Sequence, residues 1–299
     1  MPIINKALRF QPDRPSLSQP IWLGWRRTFQ DKQTVKIVLS KHRCKILFTQ
    51  INLVRTLETV KAHYDEFLGS VYSWILGDFA NAQQKYMLFF ESIGVGQNNA
   101  GTAIDLGCGP GCQSLPLADL GYDVLAIDFC RELLEELVDH AEDRTIRTVH
   151  DDLRTFRNHI TEPVDLIVCM GDTLVHLPNE EAVEKVLDDI CDALKTGGKF
   201  IYAIRDYVSF VPQGIARFIP VRANDDMIFT CFLDYDDESV HVHDILHRKI
   251  KGVWQTTISD YRKLRLNTEQ INKKLESNGF QIESRSLFDG MIVSSSKKS

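Results

Sequence analysis

The chain has 299 residues, a formal net charge of −6 at neutral pH, and 43% hydrophobic residues. This length fits one large domain, or one domain with an appendage, and the composition is sufficient for a packed core. The acidic balance argues against a surface that follows nucleic-acid phosphates, and no apolar run approaches the roughly 18 to 20 residues of a membrane helix. We therefore expect neither nucleic acid nor a membrane as a partner.

Seven cysteines are spread along the chain, and no two of them form a C-x-x-C pair. An odd number of cysteines without a framework indicates reduced thiols rather than disulfides or a zinc site. The start of the chain has prolines at positions 2, 12, 15 and 20 and lacks the apolar core of a signal peptide. These features predict a cytoplasmic protein.

Residues 1–55 differ in character from the rest of the chain. They are rich in proline at first, then aromatic and basic over residues 22–29, and show no clean helical or strand period after that. Three interpretations of this N-terminal extension remain open: a poorly ordered segment, residues upstream of the natural start, and a regulatory or partner-binding arm.

A clearer pattern begins at Thr56. Apolar and aromatic residues at helical spacing predict one helical stretch around Gly69, which contains Tyr64 and Trp74. A second helix is predicted over residues 80–93, where Gly94 provides a C-cap. Both helices precede the first predicted strand.

The most informative stretch is 102–111, TAIDLGCGPG, in which a buried strand is followed by a glycine-rich turn. In α/β folds the ligand crevice lies at such a strand end, and glycines let the backbone approach a ligand. A dinucleotide fingerprint would fit Gly107 and Gly109 but would place Cys112 at its third glycine. Asp105 would repel a pyrophosphate, whereas it suits a ligand with an ammonium or sulfonium cation. The loop therefore predicts a nucleoside cofactor.

The second predicted strand covers residues 123–127 and ends in Asp128. An acid at this position can accept two hydrogen bonds from a ribose diol, as an acid about 20 residues after the loop does in dinucleotide folds. The structural alternative is an N-cap for the helix predicted over 131–142. The pair of acids favours the nucleoside site.

The stretch D-L-G-C-G-P-G resembles motif I of the class I methyltransferases that depend on S-adenosylmethionine (SAM). The resemblance covers residues 57–295, is specific over 103–205, and is closest to the small-molecule type. It implies SAM as the cofactor and the first helices as a lid, with the H-Y-D-x-F and Y-x-W elements near cofactor or substrate. Burial of an amphipathic face is the alternative for these aromatic residues. The implied cofactor contacts in this part of the chain are Tyr64, Trp74, Asp105, Leu106, Gly107, Cys108, Gly109, Asp128 and Phe129.

Residues 146–149 predict the third strand, and HDDLRTF follows at 150–156. In the methyltransferases that the chain resembles, an acid here bonds the adenine amine and the next backbone amide reaches a ring nitrogen. By that resemblance Asp152 and Leu153 are favoured, and Asp151 is the second choice. Helix capping is the structural alternative for both acids.

The run VDLIVCM at 164–170 is typical of a strand buried on both faces. The next residues, GDTLVHLPN, resemble the segment that meets the methionine part of the cofactor, which suggests Met170 and Asp172 as contacts. His176 is a candidate general base because the ordinary pKa of histidine lies near neutrality. A packing or capping role is the alternative for this histidine.

A helix predicted over residues 179–195 ends at Gly197 and Gly198, and a fifth strand follows over 199–205. Tyr207 lies at the crevice end of this strand and is a second catalytic candidate. Five strands that alternate with helices require a parallel sheet with right-handed crossovers.

Between residues 207 and 266 the apolar period changes to two. Strands predicted over 227–235, 240–248 and 253–264 indicate an antiparallel insertion, which by the resemblance builds the substrate pocket. Arg205, Arg217 and Arg222 could clamp a substrate carboxylate, whereas pairing with neighbouring acids is the alternative.

Three histidines at positions 241, 243 and 247 share one face of a predicted strand. No cysteine or nearby carboxylate completes a ligand set with them, so we expect no metal site.

A helix over 268–278 and a hairpin over 280–288 and 291–295 complete the chain, and residues 296–299 are expected to fray. The predicted fold is α/β, a Rossmann-like doubly wound seven-stranded sheet with its last strand antiparallel. It carries an antiparallel β insertion after strand five and N-terminal lid helices, all within residues 56–299.

The resemblance implies methyl transfer from SAM to a nitrogen or oxygen of a small molecule by in-line displacement. Two other functions remain open. One is a catalytically silent SAM-binding or scaffold protein, and the other is an NAD(P)-dependent oxidoreductase, which Asp105 and Cys112 disfavour. The methyl acceptor and the oligomeric state are left open.

Overall fold

The computed structural model of the chain describes residues 59–96 and 101–299. The predicted extension at residues 1–55 lies outside them. The described part opens with a helical stretch in which α1 (Val60–His63) continues through a π-helical turn (Tyr64–Leu68) into α2 (Gly69–Leu76). Helix α3 (Phe79–Ser92) follows, and its N-cap Asp78 accepts a hydrogen bond from the backbone N–H of Asn81.

A seven-stranded sheet forms the centre of the fold. Its strands are β1 (Thr102–Leu106), β2 (Asp123–Asp128), β3 (Ile146–His150), β4 (Val164–Cys169), β5 (Leu194–Ile204), β10 (Phe280–Phe288) and β11 (Met291–Lys298). They lie in the order β10-β11-β5-β4-β1-β2-β3. The five central strands are parallel, and β11 runs antiparallel to both β5 and β10. The last strand alone is therefore reversed, as predicted.

Helices cover both faces of this sheet, so that successive strand residues enter two separate cores. Ile104 and Ile167 lie in one core, and their neighbours Ala103 and Leu166 lie in the other. A continuous apolar run is the composition that such a strand requires. The covering helices are α4 (Ser114–Asp119), α5 (Arg131–Ala141), α6 (Glu180–Ala193) and α7 (Thr268–Ser277).

The insertion is a four-stranded antiparallel sheet of β6 (Phe218–Ala223), β7 (Met227–Tyr235), β8 (Ser239–Ile250) and β9 (Val253–Leu264). Strands β7 and β9 have the predicted bounds, whereas β6 was not predicted. Its residues are mostly exposed and include Pro220, so β6 lacks the alternation that marks a half-buried strand. Phe229 and Leu246 of the insertion pack against Phe67 and Val71 of the lid.

Two predicted boundaries were wrong. The helix predicted to end at residue 195 ends at Ala193, and the strand predicted to begin at residue 199 begins at Leu194. Gly197 and Gly198 therefore lie within the strand and do not end the helix. The frayed C-terminus is also wrong, because Ser296 pairs with Phe200 in the sheet and is 1% exposed. The Lys298 Nζ atom then donates hydrogen bonds to two carbonyl groups at the end of α6.

The six cysteines of the described residues are free thiols, which agrees with the prediction of reduced cysteines. Among the described helices, none combines the length and the apolar character that a membrane span requires.

Candidate functional site

A cavity of about 1380 Å³ opens where the parallel strands end. In this topology the strand order reverses between β1 and β4, and ligands of α/β sheets bind outside the carboxyl ends at such a point. The cavity wall includes Gly107 after β1, Asp128 at the end of β2 and Met170 after β4. Further walls come from the lid, the segments after β3 and β4, strands β8 and β9 of the insertion, and the turn between β10 and β11.

The glycine-rich loop lies against the sheet through its backbone. The N–H groups of Gly107 and Cys108 both donate to the carbonyl oxygen of Ile127, at 2.8 and 3.1 Å. Gly107 has a φ of 73°, and a Cβ atom there would lie 2.4 Å from Cγ2 of Thr173. Glycine is therefore required for both conformation and space, and Gly107, Cys108 and Gly109 all line the cavity.

Gly111 fixes the loop to helix α5. Its φ is 95°, and a Cβ atom would lie 2.2 Å from Cδ1 of Leu137, which is fully buried. We expect Gly111→Ala to lower the free energy of unfolding by about 1–3 kcal/mol more than Gly252→Ala does. Both variants strain a backbone with positive φ, but only the Gly111 variant also overpacks against Leu137. Gly252 is a matched control, with a φ of 77° and no atom within 4 Å of the added Cβ. Urea unfolding measures both variants, and equal losses would contradict the close packing.

Asp128 joins the second strand to the loop. One carboxylate oxygen accepts the N–H of Gly109 and the other accepts the N–H of Cys130, both at 2.8 Å. Burial raises the pKa of Asp128, while these backbone bonds act in the opposite direction. The N-cap of α5 is Cys130, so Asp128 is not its capping residue. Each oxygen retains a lone pair for a further donor from the cavity.

Asp105 is completely buried below the loop. Its Oδ2 accepts a hydrogen bond from the Ser114 hydroxyl at 2.6 Å, whereas Oδ1 has no partner among the described residues. Burial raises the pKa of Asp105 to about 7. A buried carboxylate with a free oxygen stabilises a nearby cation and is stabilised by it. Neither Asp105 nor its neighbour Leu106 lines the cavity, because both side chains are fully buried, so their predicted contact with the cofactor is not supported.

The raised pKa predicts a pH effect on stability. The folded state keeps the Asp105 proton up to about pH 7, whereas the carboxyl has a reference value of 3.8 when unfolded. Stability therefore falls as the pH rises between these values, by about 1 kcal/mol per pH unit at most. We expect the difference in unfolding free energy between wild type and Asp105→Asn to show this slope in urea titrations from pH 5 to 8. If the unfolding free energies of the two proteins changed in parallel with pH, this prediction would be contradicted.

The segment after β3 brings three predicted residues, Asp151, Asp152 and Leu153, to the cavity wall. Asp152 caps the following 3-10 helix (Leu153–His159), and a forked hydrogen bond joins its carboxylate to Arg154. Burial raises the pKa of Asp152, but the bonds to Arg154 outweigh it and the net shift is downward. The hydrogen bond from His159 lowers the pKa of Asp151. Both acids are ionised and already paired.

The two aromatic residues predicted for the lid differ in position. Tyr64 lines the cavity, and its ring meets that of Phe129 edge-to-face at 5.4 Å. Trp74 does not line the cavity but lies in the contact between lid and insertion, with the Arg222 guanidinium 5.5 Å from its ring centroid.

Of the residues predicted after β4, Met170 lines the cavity and Asp172 does not. Asp172 is 3% exposed and accepts three hydrogen bonds, from the backbone of Arg205, the hydroxyl of Tyr207 and the ammonium group of Lys263. Burial would raise the pKa of Asp172, but these partners, Lys263 first, lower it. Asp172 and Tyr207 thus form a polar junction between the sheet and the insertion.

His176 lines the cavity from the 3-10 turn after β4 (Leu174–His176). Its Nδ1 atom is buried and has no partner among the described residues. Burial lowers the pKa of this imidazole to about 3, so the ring is neutral at physiological pH. An imidazole with so low a pKa is a weak base, which argues against His176 as the general base.

The three predicted arginines do not converge. Arg205 lines the cavity, whereas Arg217 and Arg222 do not. Arg217 pairs with Asp234 on β7 and lies over the ring of Phe232, as the alternative of surface pairing predicts.

No group of three or more potential metal ligands occurs among the described residues. His243 and His247 lie on the less buried face of β8, and His247 bonds the hydroxyl of Thr256. His241 is 3.4 Å from Asp236 and contacts the cavity.

Three further residues lie at the cavity: His63 and Tyr72 belong to the H-Y-D-x-F and Y-x-W elements, whereas the sequence did not indicate Tyr261. Tyr72 and Tyr261 line it, and His63 is fully buried beside them, with its Nδ1 2.7 Å from Ser259 Oγ and its Nε2 3.1 Å from Asp244. His63 therefore joins the lid to the insertion. The H-Y-D-x-F element includes His63, but nothing in the sequence identifies its partner Ser259, which lies 196 positions away.

Residues 103–198 match a family model described as a methyltransferase domain. The chain is 32% identical over 120 residues to a glycine/sarcosine N-methyltransferase of Aphanothece halophytica. The aligned region covers 40% of this chain and 45% of that protein. Among solved structures, SAM-bound CalS10, an amino pentose methyltransferase of Micromonospora echinaspora, has a TM-score of 0.64 at 11% identity, over 78% of this chain and 97% of that one. The CcbJ methyltransferase of Streptomyces caelestis has a TM-score of 0.63 at 17% identity. That alignment covers 81% of this chain and 99% of the CcbJ chain.

The chain spans about half the length of the curated relatives it matches. The solved structures share its fold. Residues 103–198 therefore resemble a methyltransferase domain, and the described chain has the fold of solved SAM-dependent methyltransferases.

Proposed function

We propose that the chain transfers a methyl group from SAM to a nitrogen or oxygen of a small-molecule acceptor. The observation that carries this proposal is the geometry of Asp128, whose two oxygens hold the glycine-rich loop at one end of the cavity. The matches to a methyltransferase domain and to N-methyltransferases of small molecules support the same reaction.

The residues present fit this cofactor. Asp128 lines the cavity and retains acceptor capacity for two ribose hydroxyls. Gly109 leaves open space beneath the lid, because a Cβ atom there would meet only Tyr72, at 3.8 Å. Asp151, Asp152, Leu153 and Met170 line the cavity, which supports our assignment of the first three to the base of the cofactor and of Met170 to its methionine part.

When bound, SAM supplies an electrophilic methyl group on a sulfonium, and the chain supplies position. The cavity of about 1380 Å³ exceeds the about 300–1,000 Å³ typical of one drug-sized ligand, so it accommodates a cofactor and a small acceptor together. Correct orientation alone contributes up to about 7–11 kcal/mol to such a reaction. His176 and Arg205 line the cavity, which supports them as our candidates for contact with the acceptor.

Calorimetric titration of the wild-type protein with SAM, with its demethylated product S-adenosylhomocysteine (SAH), and with NADH tests the cofactor. We expect saturable binding of SAM and SAH and none of NADH. Transfer of an isotope-labelled methyl group to a metabolite pool then distinguishes an enzyme from a catalytically silent SAM-binding protein. Binding of NADH alone would contradict the proposal and favour an oxidoreductase.

The finer assignments rest on the same observations. We infer a cytoplasmic enzyme from its free cysteines, with a small molecule rather than a nucleic acid as substrate because its net charge is −6. We also infer that the domain covers residues 56–299 and that the insertion at 207–266 shapes the acceptor pocket, since β9 lines the cavity through Asp260, Tyr261 and Arg262.

A further inference from the structure

Exposed apolar side chains are concentrated around the edge strand β6 of the insertion. Of the thirteen large apolar side chains that are exposed among the described residues, six lie in the segment 210–228. Such a concentration in one short segment marks a surface that associates with another molecule. We refer to these six residues as the β6 patch: Phe210, Ile215, Phe218, Ile219, Val221 and Ile228.

The β6 patch continues onto the outer face of the insertion sheet. Phe218 pairs with Phe232 of β7, and the centroids of their rings are 4.6 Å apart. The Phe232 ring in turn lies 5.6 Å from that of His243 on β8. Residues at alternate positions of a strand point to opposite faces, and Phe229 of β7 packs on the lid, so these three rings lie on the face turned away from the lid.

The backbone edge of β6 is unsuited to the addition of another strand. Pro220 has no N–H group to donate, and the pairing of β6 with β7 is irregular between Pro220 and Arg222. Proline and bulges in an edge strand both protect a sheet against edge-to-edge association. A partner must therefore pack on the side chains of the β6 patch and the outer face.

The charges at the ends of the outer face have both signs. Arg217 is paired with Asp234 at one end of β7, and Lys249 is paired with Asp226 at the other end. Between these pairs the outward-facing residues of β7 are uncharged: Ile228, Thr230 and Phe232. An uncharged centre with a charged rim is typical of protein–protein interfaces, whereas nucleic acid would require a mainly basic surface. A rim of both signs can also face a copy of itself.

The outer face is large enough for a stable dimer. Four strands about 4.8 Å apart, with nine residues in β7, give a face of about 19 by 30 Å, roughly 600 Å² in projection. Protruding side chains such as Ile215, which is 90% exposed, add to this area. A stable interface buries about 800 Å² of accessible surface on each partner, so one copy of the same face is sufficient.

We propose that the β6 patch and the adjoining outer face form the interface of a homodimer, in which the same surface of two copies meets around a twofold axis. This assembly is independent of the proposed function. A twofold contact requires a surface that is complementary to itself, and the uncharged centre and mixed rim meet this requirement. The two insertion sheets would stack face to face about 10 Å apart, with their side chains interdigitated.

Sedimentation velocity of the full chain over about a hundredfold range of concentration tests the assembly. We expect a species with twice the monomer mass of 34.2 kDa, which dissociates reversibly on dilution. A monomer at every concentration would overturn the proposal, because the β6 patch would then be covered by another part of the chain or by a different protein.

Two variants place a charge within the proposed interface. We expect Phe218→Glu and Ile228→Glu each to raise the dissociation constant of the dimer by at least about thirtyfold, since a buried apolar anchor is replaced by an unpaired charge. Their exposed fractions in one copy are 54% and 38%, so the substitutions should leave the fold intact, and circular dichroism with urea unfolding checks this. A dimer that persists in both variants would place the interface elsewhere and overturn the proposal.

Leu287→Glu is the matched control, because it adds the same charge at a leucine of β10 that is 79% exposed and lies outside the β6 patch. We expect its dissociation constant to stay within about threefold of the wild-type value. Equal weakening in Leu287→Glu and Phe218→Glu would show that net charge and not the β6 patch controls association, which would also overturn the proposal.

Discussion

Replacing Asp128 with alanine is expected to weaken SAM and SAH binding by about a hundredfold or more. Two hydrogen bonds to a charged group, at about 1.5–3 kcal/mol each, would be lost from the ligand. The variant also releases the N–H groups of Gly109 and Cys130, which donate to the carboxylate at 2.8 Å in the wild-type protein. The loop would then lose the position that Asp128 imposes on it. Calorimetry with both nucleosides measures the change.

A conservative variant and a matched control make this result specific. Asp128→Asn keeps the shape of the side chain and should still weaken binding by at least about tenfold, because an amide supplies one acceptor oxygen where the carboxylate supplies two. Asp123→Asn changes an exposed acid at the other end of the same strand and should leave affinity unchanged. Near-native affinity in both Asp128 variants would contradict the assignment of the ribose site.

Replacing Lys263 with methionine is expected to lower the free energy of unfolding by about 3–5 kcal/mol, because it leaves a buried charge without its partner. The side chains of Lys263 and Asp172 are 11% and 4% exposed, and their charged atoms are 2.6 Å apart. The pKa of Asp172 is lowered and that of Lys263 is raised by this contact, so both groups are charged at neutral pH. Urea unfolding at pH 7 measures the loss.

Two further variants define the origin of that loss. The double variant Asp172→Asn and Lys263→Met removes both charges and should recover a large part of the stability. Lys185→Met breaks an exposed pair with Asp189 in helix α6 and should cost no more than about 0.5 kcal/mol. A loss in Lys263→Met as small as in Lys185→Met would show that the junction is not buried in solution.

Features that depend on neighbouring residues were predictable from the sequence. The strands of the parallel sheet were found because each is a short apolar run, and Gly107 and Gly109 were assigned because their spacing after Asp105 is distinctive. Asp128 was identified from its place at the tip of the next strand, and the structure brings it to the loop through Gly109. Each of these inferences needed only one strand, one turn and the next helix.

Contacts across the chain were not predictable. Asp172 was considered as a cofactor contact, but its partner Lys263 lies 91 positions away on the insertion. His63 likewise meets Asp244 across 181 positions. The sequence shows each of these residues as an isolated polar side chain within an apolar pattern. Which of them meet depends on the packing of the insertion against the sheet and the lid.

The buried link between lid and insertion has a consequence for protein engineering. Because the insertion leaves the chain after β5 and returns before α7, it resembles an exchangeable cassette that could be grafted to change the acceptor. His63 and Phe67 of the lid, however, are complementary to Asp244 and Phe229 of the insertion. A graft of residues 207–266 alone would leave Asp244 without its histidine partner, so a functional transplant must carry the segment 60–76 as well.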